Sequence, residues 1–256
     1  MEDFLALLRT SGQLLPGPLA AAKHPEHFET TEGTTILALR YRDGILVAGD
    51  RRATMGNTVV YDRADKVLAI DDSAVLAISG SPAIGYEIAR MLEISFQHYR
   101  RSQLQVLSLD GKLRTLSRLL RENLGLAMQG VGAVVPILAA YDPREGGRIF
   151  FYDLLGAQFE SVDFCATGSG SPIIRGALYF QDRWGRQPLA QYEEPAAVEL
   201  ALKLLETAAE YDTATGGFRS RARIFPQVMR LDASGIALLP EADLEPHYQA
   251  LGRNPG

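Results

Sequence analysis

The sequence predicts an α+β domain in which two antiparallel sheets stack face to face and helices cover both outer surfaces. Its 256 residues are 46% hydrophobic, which suffices for one large domain, and no shift in composition marks a second one. Hydrophobic periodicity alternates along the chain in blocks: strands, two helices, strands, two helices, strands. This order differs from the strict strand–helix alternation of parallel sheets, and it favours an antiparallel, layered architecture.

Runs with period-2 alternation and β-branched residues predict strands at 34–41, 45–50, 66–70, 74–79, 134–141, 148–153, 164–167, 227–231 and 236–239. Asp43-Gly44 is a hairpin signal between the first two. Helices are expected after Ser81-Pro82, from Asp110, after Ser171-Pro172, at 193–210 and near Ala242. An amphipathic turn is expected at residues 1–8.

Composition and charge exclude several classes of function. A net charge of -5 and a pI of about 5.5 disfavour nucleic-acid binding, which requires clustered basic residues. The single cysteine, Cys165, excludes an internal disulfide and fits a reducing compartment. No apolar run is long enough to cross a bilayer, and acidic Glu2 and Asp3 contradict a secretory signal. We therefore expect a cytoplasmic protein without membrane or nucleic-acid partners.

The junction Gly33-Thr34 separates a proline-bearing leader from the first predicted strand. A threonine hydroxyl becomes a useful nucleophile when a base takes its proton, and a freed amine on the same residue can be that base. An α-amino pKa of about 7.7–8.0 lies close to working pH. For an isolated Gly-Thr pair, an ordinary boundary between loop and strand is the better interpretation.

Two charged residues at strand ends strengthen the chemical interpretation. Asp50 ends the second predicted strand and Lys66 begins the third. A lysine ammonium beside a hydroxyl favours loss of the hydroxyl proton, and an aspartate would keep that lysine charged and oriented. A plain ion pair at strand ends remains open as the alternative.

Two loops before helices add further candidates. Gly80 stands between a strand and a helix, where its backbone N–H could stabilise an oxyanion, although a tight turn explains a glycine equally well. The string 168–171 looks like a phosphate-binding loop, but it lacks the lysine and the spacing of that motif. Asp212 follows a helix, where aspartate is usually a turn residue.

Taken together, these residues resemble the proteasome β-subunits of bacteria, specifically the actinobacterial 20S type, which are N-terminal-nucleophile threonine proteases. The resemblance covers residues 33–244 and is most specific in the strings Gly-Asp-Arg-Arg-Ala-Thr at 49–54 and Asp-Thr-Ala-Thr-Gly-Gly at 212–217. It implies the four-layer αββα sandwich of the N-terminal-nucleophile hydrolase fold. It also implies a threonine endopeptidase that degrades unfolded or tagged cytosolic proteins.

The resemblance assigns roles to individual residues. Thr34 would be the nucleophile, Lys66 its activator, Asp50 the partner of Lys66, and Gly80 N–H the oxyanion donor. The remaining catalytic assignments are Ser169, Asp212 and Thr215, the last of which replaces the serine of some relatives. Substrate-binding positions would be Ala53, Thr54, Ala64, Leu68, Ile78 and Pro82. Because this pocket is uncharged, it should accept apolar side chains, whereas Pro82 cannot donate a backbone hydrogen bond to substrate.

The resemblance also implies processing and assembly. Residues 1–33 would be a propeptide removed by self-cleavage between Gly33 and Thr34, and 34–256 the catalytic domain. The partners would be α-subunits, further β-subunits in heptameric rings, an ATPase ring and protein substrates. The rings would stack as two of β inside two of α.

Neither a cofactor nor a metal is expected. None of the four histidines, His24, His27, His98 and His247, is placed for a catalytic triad or a metal site.

Three alternatives remain open. Two are enzymes: the related ATP-dependent two-ring protease and an amide hydrolase of the same fold. The run 55–59 slightly favours the two-ring protease. The third is an inactive β-type subunit kept for assembly, which the intact set of Thr34, Asp50 and Lys66 disfavours.

Overall fold

The computed structural model describes residues 33–56, 58–129 and 132–252. The predicted turn at 1–8 and most of the predicted propeptide lie outside these residues. Twelve strands occur in the described part of the chain: β1 Thr35–Tyr41, β2 Gly44–Gly49, β3 Ala53–Met55, β4 Thr58–Tyr61, β5 Val67–Asp71, β6 Ala74–Ala77, β7 Ile137–Asp142, β8 Gly146–Tyr152, β9 Gln158–Ser161, β10 Phe164–Gly168, β11 Gln227–Asp232 and β12 Gly235–Leu238.

The helices fall between and after these strands. Their bounds are α1 Pro82–Gln103, α2 Leu109–Glu122, α3 Leu124–Ala127, α4 Ser171–Trp184, α5 Glu194–Tyr211 and α6 Glu241–Ala250. A 3₁₀ turn at Leu189–Gln191 connects α4 to α5. In the described residues, no helix combines the length and the apolar character needed to cross a bilayer.

The strands form two five-stranded antiparallel sheets. The first has the order β10-β1-β2-β11-β12 and the second β5-β6-β7-β8-β9. A core of side chains from both sheets, including Ile36, Val47, Val75 and Ile137, fills the space between them. Because all five strands of each sheet pair antiparallel, short turns suffice to connect most of them.

Helices cover the outer face of each sheet. Leu37, Leu39 and Tyr41 of β1 pack with apolar residues of α4 and α5, including Ile174 and Leu205. On the other side, Leu76 and Leu138 pack with α1 and α2 through residues such as Leu92 and Leu116. The layers are therefore helix, sheet, sheet, helix, and the predicted four-layer αββα sandwich is confirmed.

Alternation along single strands explains this arrangement. In β6, Val75 and Ala77 face the other sheet, whereas Ala74 and Leu76 face the helices. Every residue of β6 is consequently buried. Successive side chains point to opposite faces, so a strand that is apolar throughout belongs in a sheet covered on both sides.

Most predicted bounds differ from the observed ones by one to three residues. The seventh strand begins at Ile137 rather than 134, and Val134 forms only an isolated bridge with Gly80. Thr34, Asp50 and Lys66 lie just outside the strands in which they were predicted. The hairpin of β3 and β4, the edge strand β9 and the short helix α3 were not predicted.

Candidate active site

The two sheets bring Thr34, Asp50 and Lys66 together at one end of the inter-sheet space. Thr34 immediately precedes β1 and Asp50 immediately follows β2. Since β1 and β2 are antiparallel, with Ile36 opposite Gly49, the start of one strand adjoins the end of the other. Lys66 comes from the opposite sheet, one residue before β5.

Lys66 and Asp50 form a buried ion pair. Lys66 Nζ lies 2.8 Å from Asp50 Oδ1, and the two side chains are 4% and 0% exposed. Burial lowers the pKa of the Lys66 ammonium, and the carboxylate of Asp50 opposes that shift. The pair is buried away from water. Charge–charge interactions are stronger in such a buried site than at a surface.

The carboxylate of Asp50 is held from four directions. Oδ1 accepts hydrogen bonds from Lys66 Nζ and from the backbone N–H of Thr35, both at 2.8 Å. Oδ2 accepts from the N–H groups of Arg52 and Gly216, also at 2.8 Å. A buried carboxylate with this many donors is fully satisfied, which fixes the position of Lys66 in turn.

The carbonyl oxygen of Gly33 is where the hydroxyl and the ammonium meet. Thr34 Oγ1 donates to it at 2.6 Å and Lys66 Nζ donates at 3.0 Å. The third donor position of Lys66 is taken by the carbonyl of Arg52, at 2.5 Å. Three acceptors around one nitrogen require three N–H groups, so the arrangement is that of the ammonium rather than of a neutral amine.

Gly33 is closely surrounded at this point. A Cβ built on it would overlap Thr54 Oγ1 and lie 3.1 Å from the carbonyl oxygen of Ala214. Any larger residue would therefore push the backbone away from Lys66. This packing explains why glycine occupies position 33.

A second polar group lies on the other side of Thr34. Asp212 Oδ2 accepts from Ser169 Oγ at 2.6 Å and from Thr215 Oγ1 at 2.5 Å. Ser169 also donates its backbone N–H to the carbonyl oxygen of Thr34, at 3.0 Å. The structure thus joins these three predicted residues in one hydrogen-bonded group, which contacts Thr34 through Ser169.

Gly80 lies in the loop between β6 and α1, with Val134 opposite it. The two hydrogen bonds of this bridge run from Ser81 N to Ala133 O, at 2.8 Å, and from Val135 N to Ser79 O, at 2.9 Å. The bridge therefore does not use the N–H of Gly80. Gly80 and Thr34 line the same cleft.

That cleft has a volume of about 750 Å³ and extends from Thr34 along β10 and the end of β8. Among its lining residues are Phe151, Leu154, Phe164 and Gly168. None of the six predicted substrate-binding residues is among the residues that line it. Ala53, Thr54, Ala64 and Ile78 are buried, and Leu68 and Pro82 are half-buried.

Other nucleophiles and metals fit the site poorly. Cys165 is buried as predicted, and burial raises the pKa of its thiol to about 12, so at neutral pH it is not a thiolate. Within residues 33–56, 58–129 and 132–252, no cluster of three or more His, Cys, Asp or Glu side chains could hold a metal ion. The polar groups around Thr34 suit acyl transfer by a hydroxyl.

Sequence reasoning missed two residues of the site, Thr35 and Arg52. Arg52 contributes its backbone to Asp50 and Lys66, and its guanidinium donates to the carbonyls of Thr213 and Thr215 at 2.9 and 3.0 Å. Backbone contacts leave no trace in residue type. The one signal that the sequence offered was a second threonine, Thr35, directly after the candidate nucleophile.

Comparison with known proteins agrees with this geometry. A family model described as "Proteasome subunit" matches residues 30–221. "Proteasome subunit beta" of Acidothermus cellulolyticus is 40% identical over 93% of this chain and 81% of its own length. "Proteasome subunit beta 2" of Thermomonospora curvata is 42% identical over 94% and 85%, and "Proteasome subunit beta 1" of Streptomyces avermitilis is 40% identical over 94% and 82%.

Proposed function

The chain belongs to the proteasome subunit family, and from that premise we propose how this β-type threonine peptidase cleaves first itself and then other chains. Thr34 is the nucleophile of both reactions. The single observation that supports this most strongly is the convergence of Thr34 Oγ1 and Lys66 Nζ on the carbonyl oxygen of Gly33.

The first reaction is cleavage of the Gly33–Thr34 bond. Thr34 Oγ1 attacks the carbonyl carbon of Gly33, its proton passes to the departing nitrogen, and an ester replaces the amide. The ammonium of Lys66 stabilises the negative charge that develops on the Gly33 oxygen, because it already donates to that atom. This step already frees the amine of Thr34. Water then hydrolyses the ester, which removes residues 1–33 as a carboxylic acid and restores the hydroxyl of Thr34.

The second reaction is hydrolysis of other peptides. The freed amine takes the proton of Thr34 Oγ1 as that atom attacks the substrate carbonyl. Ser169 and Asp212 lie beside Thr34 and orient it. The N–H of Gly80 donates a hydrogen bond to the developing oxyanion, since the bridge to Val134 does not use this N–H.

The substrate lies in the cleft beside Thr34 and at the predicted pocket. The pocket comprises Ala53, Thr54, Ala64, Leu68, Ile78 and Pro82 and accepts an apolar side chain before the cleaved bond. Gly33 contacts Thr54 closely, which supports a path for the acyl side of the substrate along β3.

The working enzyme is an assembly. We propose that the chain forms heptameric β rings that stack between rings of α-subunits, and that an ATPase ring delivers unfolded or tagged proteins to it. The reaction needs no cofactor, and the cytoplasm is its compartment.

The test is self-cleavage in particles assembled with an α-subunit. Thr34→Ala removes the hydroxyl, so intact mass should show a chain that keeps residues 1–33 and particles that hydrolyse no peptide. Thr34→Ser keeps a hydroxyl without the methyl that restricts χ1, so slower maturation is expected. A Thr34→Ala chain that still begins at residue 34, in particles free of wild-type subunits and other proteases, would exclude self-cleavage.

A further inference from the structure

Thr35 joins the two polar groups that flank the nucleophile. Its backbone N–H donates to Asp50 Oδ1 at 2.8 Å, on the Lys66 side. Its hydroxyl lies 2.6 Å from Thr215 Oγ1 and accepts from the N–H of Gly170 at 3.0 Å, on the Asp212 side. Thr35 and Thr215 are both 0% exposed.

The direction of the hydroxyl hydrogen bonds follows from the partners. Thr215 Oγ1 lies 2.5 Å from Asp212 Oδ2, and an ionised carboxylate can only accept, so the single hydroxyl proton of Thr215 points to Asp212. Thr35 must then donate to Thr215. The result is a directed relay from Thr35 through Thr215 to Asp212, in which both hydroxyl protons are used.

The backbone of Gly170 packs closely against this relay. A Cβ built on Gly170 would lie 2.7 Å from Thr35 Oγ1 and 2.8 Å from Thr215 Oγ1. Both hydroxyls are buried, so removing either one leaves its partners unsatisfied inside the protein, where an unmade hydrogen bond is costly.

We propose that Thr35 is a positioning residue for peptide hydrolysis, whose hydroxyl holds Asp212, through Thr215, in the orientation that Thr34 requires. The inference rests on the proposed function, because Asp212 matters only if Thr34 is the nucleophile. Thr35 itself touches neither substrate nor the reacting atoms.

Thr35→Val is the direct test, because valine keeps the shape and deletes the hydroxyl. In mature assembled particles, kcat should fall about 10- to 100-fold, the cost of displacing a catalytic group slightly. KM should stay close to the wild-type value, since a fully buried residue does not contact the peptide. Thr35→Ser keeps the hydroxyl and should restore kcat.

Thr115→Val is the matched control. Thr115 is also a buried threonine, and its hydroxyl donates to the carbonyl of Gly111 at 2.7 Å within α2, on the opposite face of the molecule. This variant should keep the wild-type kcat. Thr215→Val removes the central hydroxyl of the relay and should lower kcat as much as Thr35→Val does. Because both variants break the same relay, the double variant should have a kcat no lower than that of either single variant.

Three outcomes would overturn the proposal: a mature Thr35→Val particle with wild-type kcat, a loss that Thr35→Ser fails to rescue, or valine variants that do not assemble. The last would assign the hydroxyl a purely structural role. Assembled valine variants that keep their leader, while the serine variants mature, support the relay in the first reaction. Inactive wild-type particles would instead refute the proposed function.

Discussion

Two lysines are buried in the part of the chain that the structure describes, and only one of them, Lys66, contacts the carbonyl oxygen of the bond to be cleaved. Lys66 and Lys112 are each 4% exposed in their side chains and each is paired with an aspartate, at 2.8 Å to Asp50 and 2.5 Å to Asp71. Lys112 also donates to Ser73, whereas Lys66 donates to Gly33 O. Replacing each lysine in turn therefore distinguishes the contribution of Lys66 to self-cleavage from the loss of folding stability that follows when either ion pair is broken.

Lys66→Met should abolish self-cleavage, because the ammonium is the cation that donates to the Gly33 oxygen, and the other donor seen there, Thr34 Oγ1, is the attacking nucleophile itself. Lys66→Met leaves the buried Asp50 without its cation, at a cost of about 3–5 kcal/mol in the free energy of unfolding. Lys112→Met does the same to the half-buried Asp71, so it should also destabilise the fold, but by less. Intact mass and thermal melting measure the two effects. If Lys112→Met blocked maturation as completely as Lys66→Met, loss of stability would explain both variants.

The pH dependence of maturation tests which form of Lys66 acts. Burial lowers its pKa below the usual 10.5, so the folded chain releases this proton while a free lysine would still hold it. Maturation should therefore slow as pH rises through the folded pKa, at a pH below 10.5. In the window between the two pKa values the unfolded chain binds more protons, so the free energy of unfolding rises with pH.

The measurement is the half-time of maturation after the subunits are freshly mixed, taken at a series of pH values up to 10.5. Rate and stability should move in opposite directions as pH increases. A rate that rose instead would assign Lys66 the role of a neutral base.

At this scale the sequence predicted what residue type and spacing can reveal. Thr34, Asp50 and Lys66 were singled out as a hydroxyl, a carboxylate and an ammonium at strand ends, which alone left a plain ion pair open, and the family resemblance then assigned their roles. The contact of Lys66 with Gly33 rather than with the Thr34 hydroxyl was not predictable, since it depends on how two sheets place one backbone carbonyl.

Among the elements, β10 contacts the nucleophile directly at its last residue, Gly168. Gly168 has φ +97° and lies opposite Thr35 in the register of β10 and β1. A Cβ on Gly168 would overlap the carbonyl oxygen of Thr34. The positive φ and the close approach both require glycine here.

Gly168→Ala should therefore displace Thr34 and stop maturation. Gly235→Ala is the matched control, because Gly235 has φ +106° but nothing within 4 Å of its Cβ position. Both variants incur the strain of a positive φ, of order 1–3 kcal/mol, so both should melt at lower temperature. Only the first should keep its leader by intact mass; equal maturation of the two would contradict the proposed contact.

Two of the strands that sequence analysis missed, β4 and β9, share one property. All four residues of β4 are exposed, as are three of the four in β9. Neither strand buries one face, so no alternation of apolar and polar residues marks it. The core strands, in contrast, bury at least one face against a layer, and their patterns were clear.

For the whole molecule, α4 and β4 are among the elements that expose several large apolar side chains each. Tyr179, Phe180 and Trp184 of α4 are 60%, 63% and 66% exposed, and Val60 and Tyr61 of β4 are 48% and 56% exposed. Exposed apolar patches often contact other proteins, and in a member of the proteasome subunit family we expect those proteins to be other subunits. Layer order could be predicted from sequence because it follows from element order, whereas ring size could not, since it depends on contacts between chains.

Expressed alone, the chain should therefore keep residues 1–33 and hydrolyse peptides poorly. Co-expressed with an α-subunit, it should sediment as a large particle and begin at Thr34. Analytical ultracentrifugation with intact mass on the same fractions measures both properties. A fully processed, active monomer would show that assembly is not required.

The central claim is that Thr34, once freed, carries the acyl group of the substrate. The most direct measurement is covalent trapping of assembled wild-type particles with a peptide β-lactone that bears an apolar side chain, followed by peptide mapping. We predict one acyl adduct, on an N-terminal peptide that begins at Thr34, and none in Thr34→Ala particles. An adduct on Ser169, on Cys165 or on a chain that still carries residues 1–33 would contradict the claim.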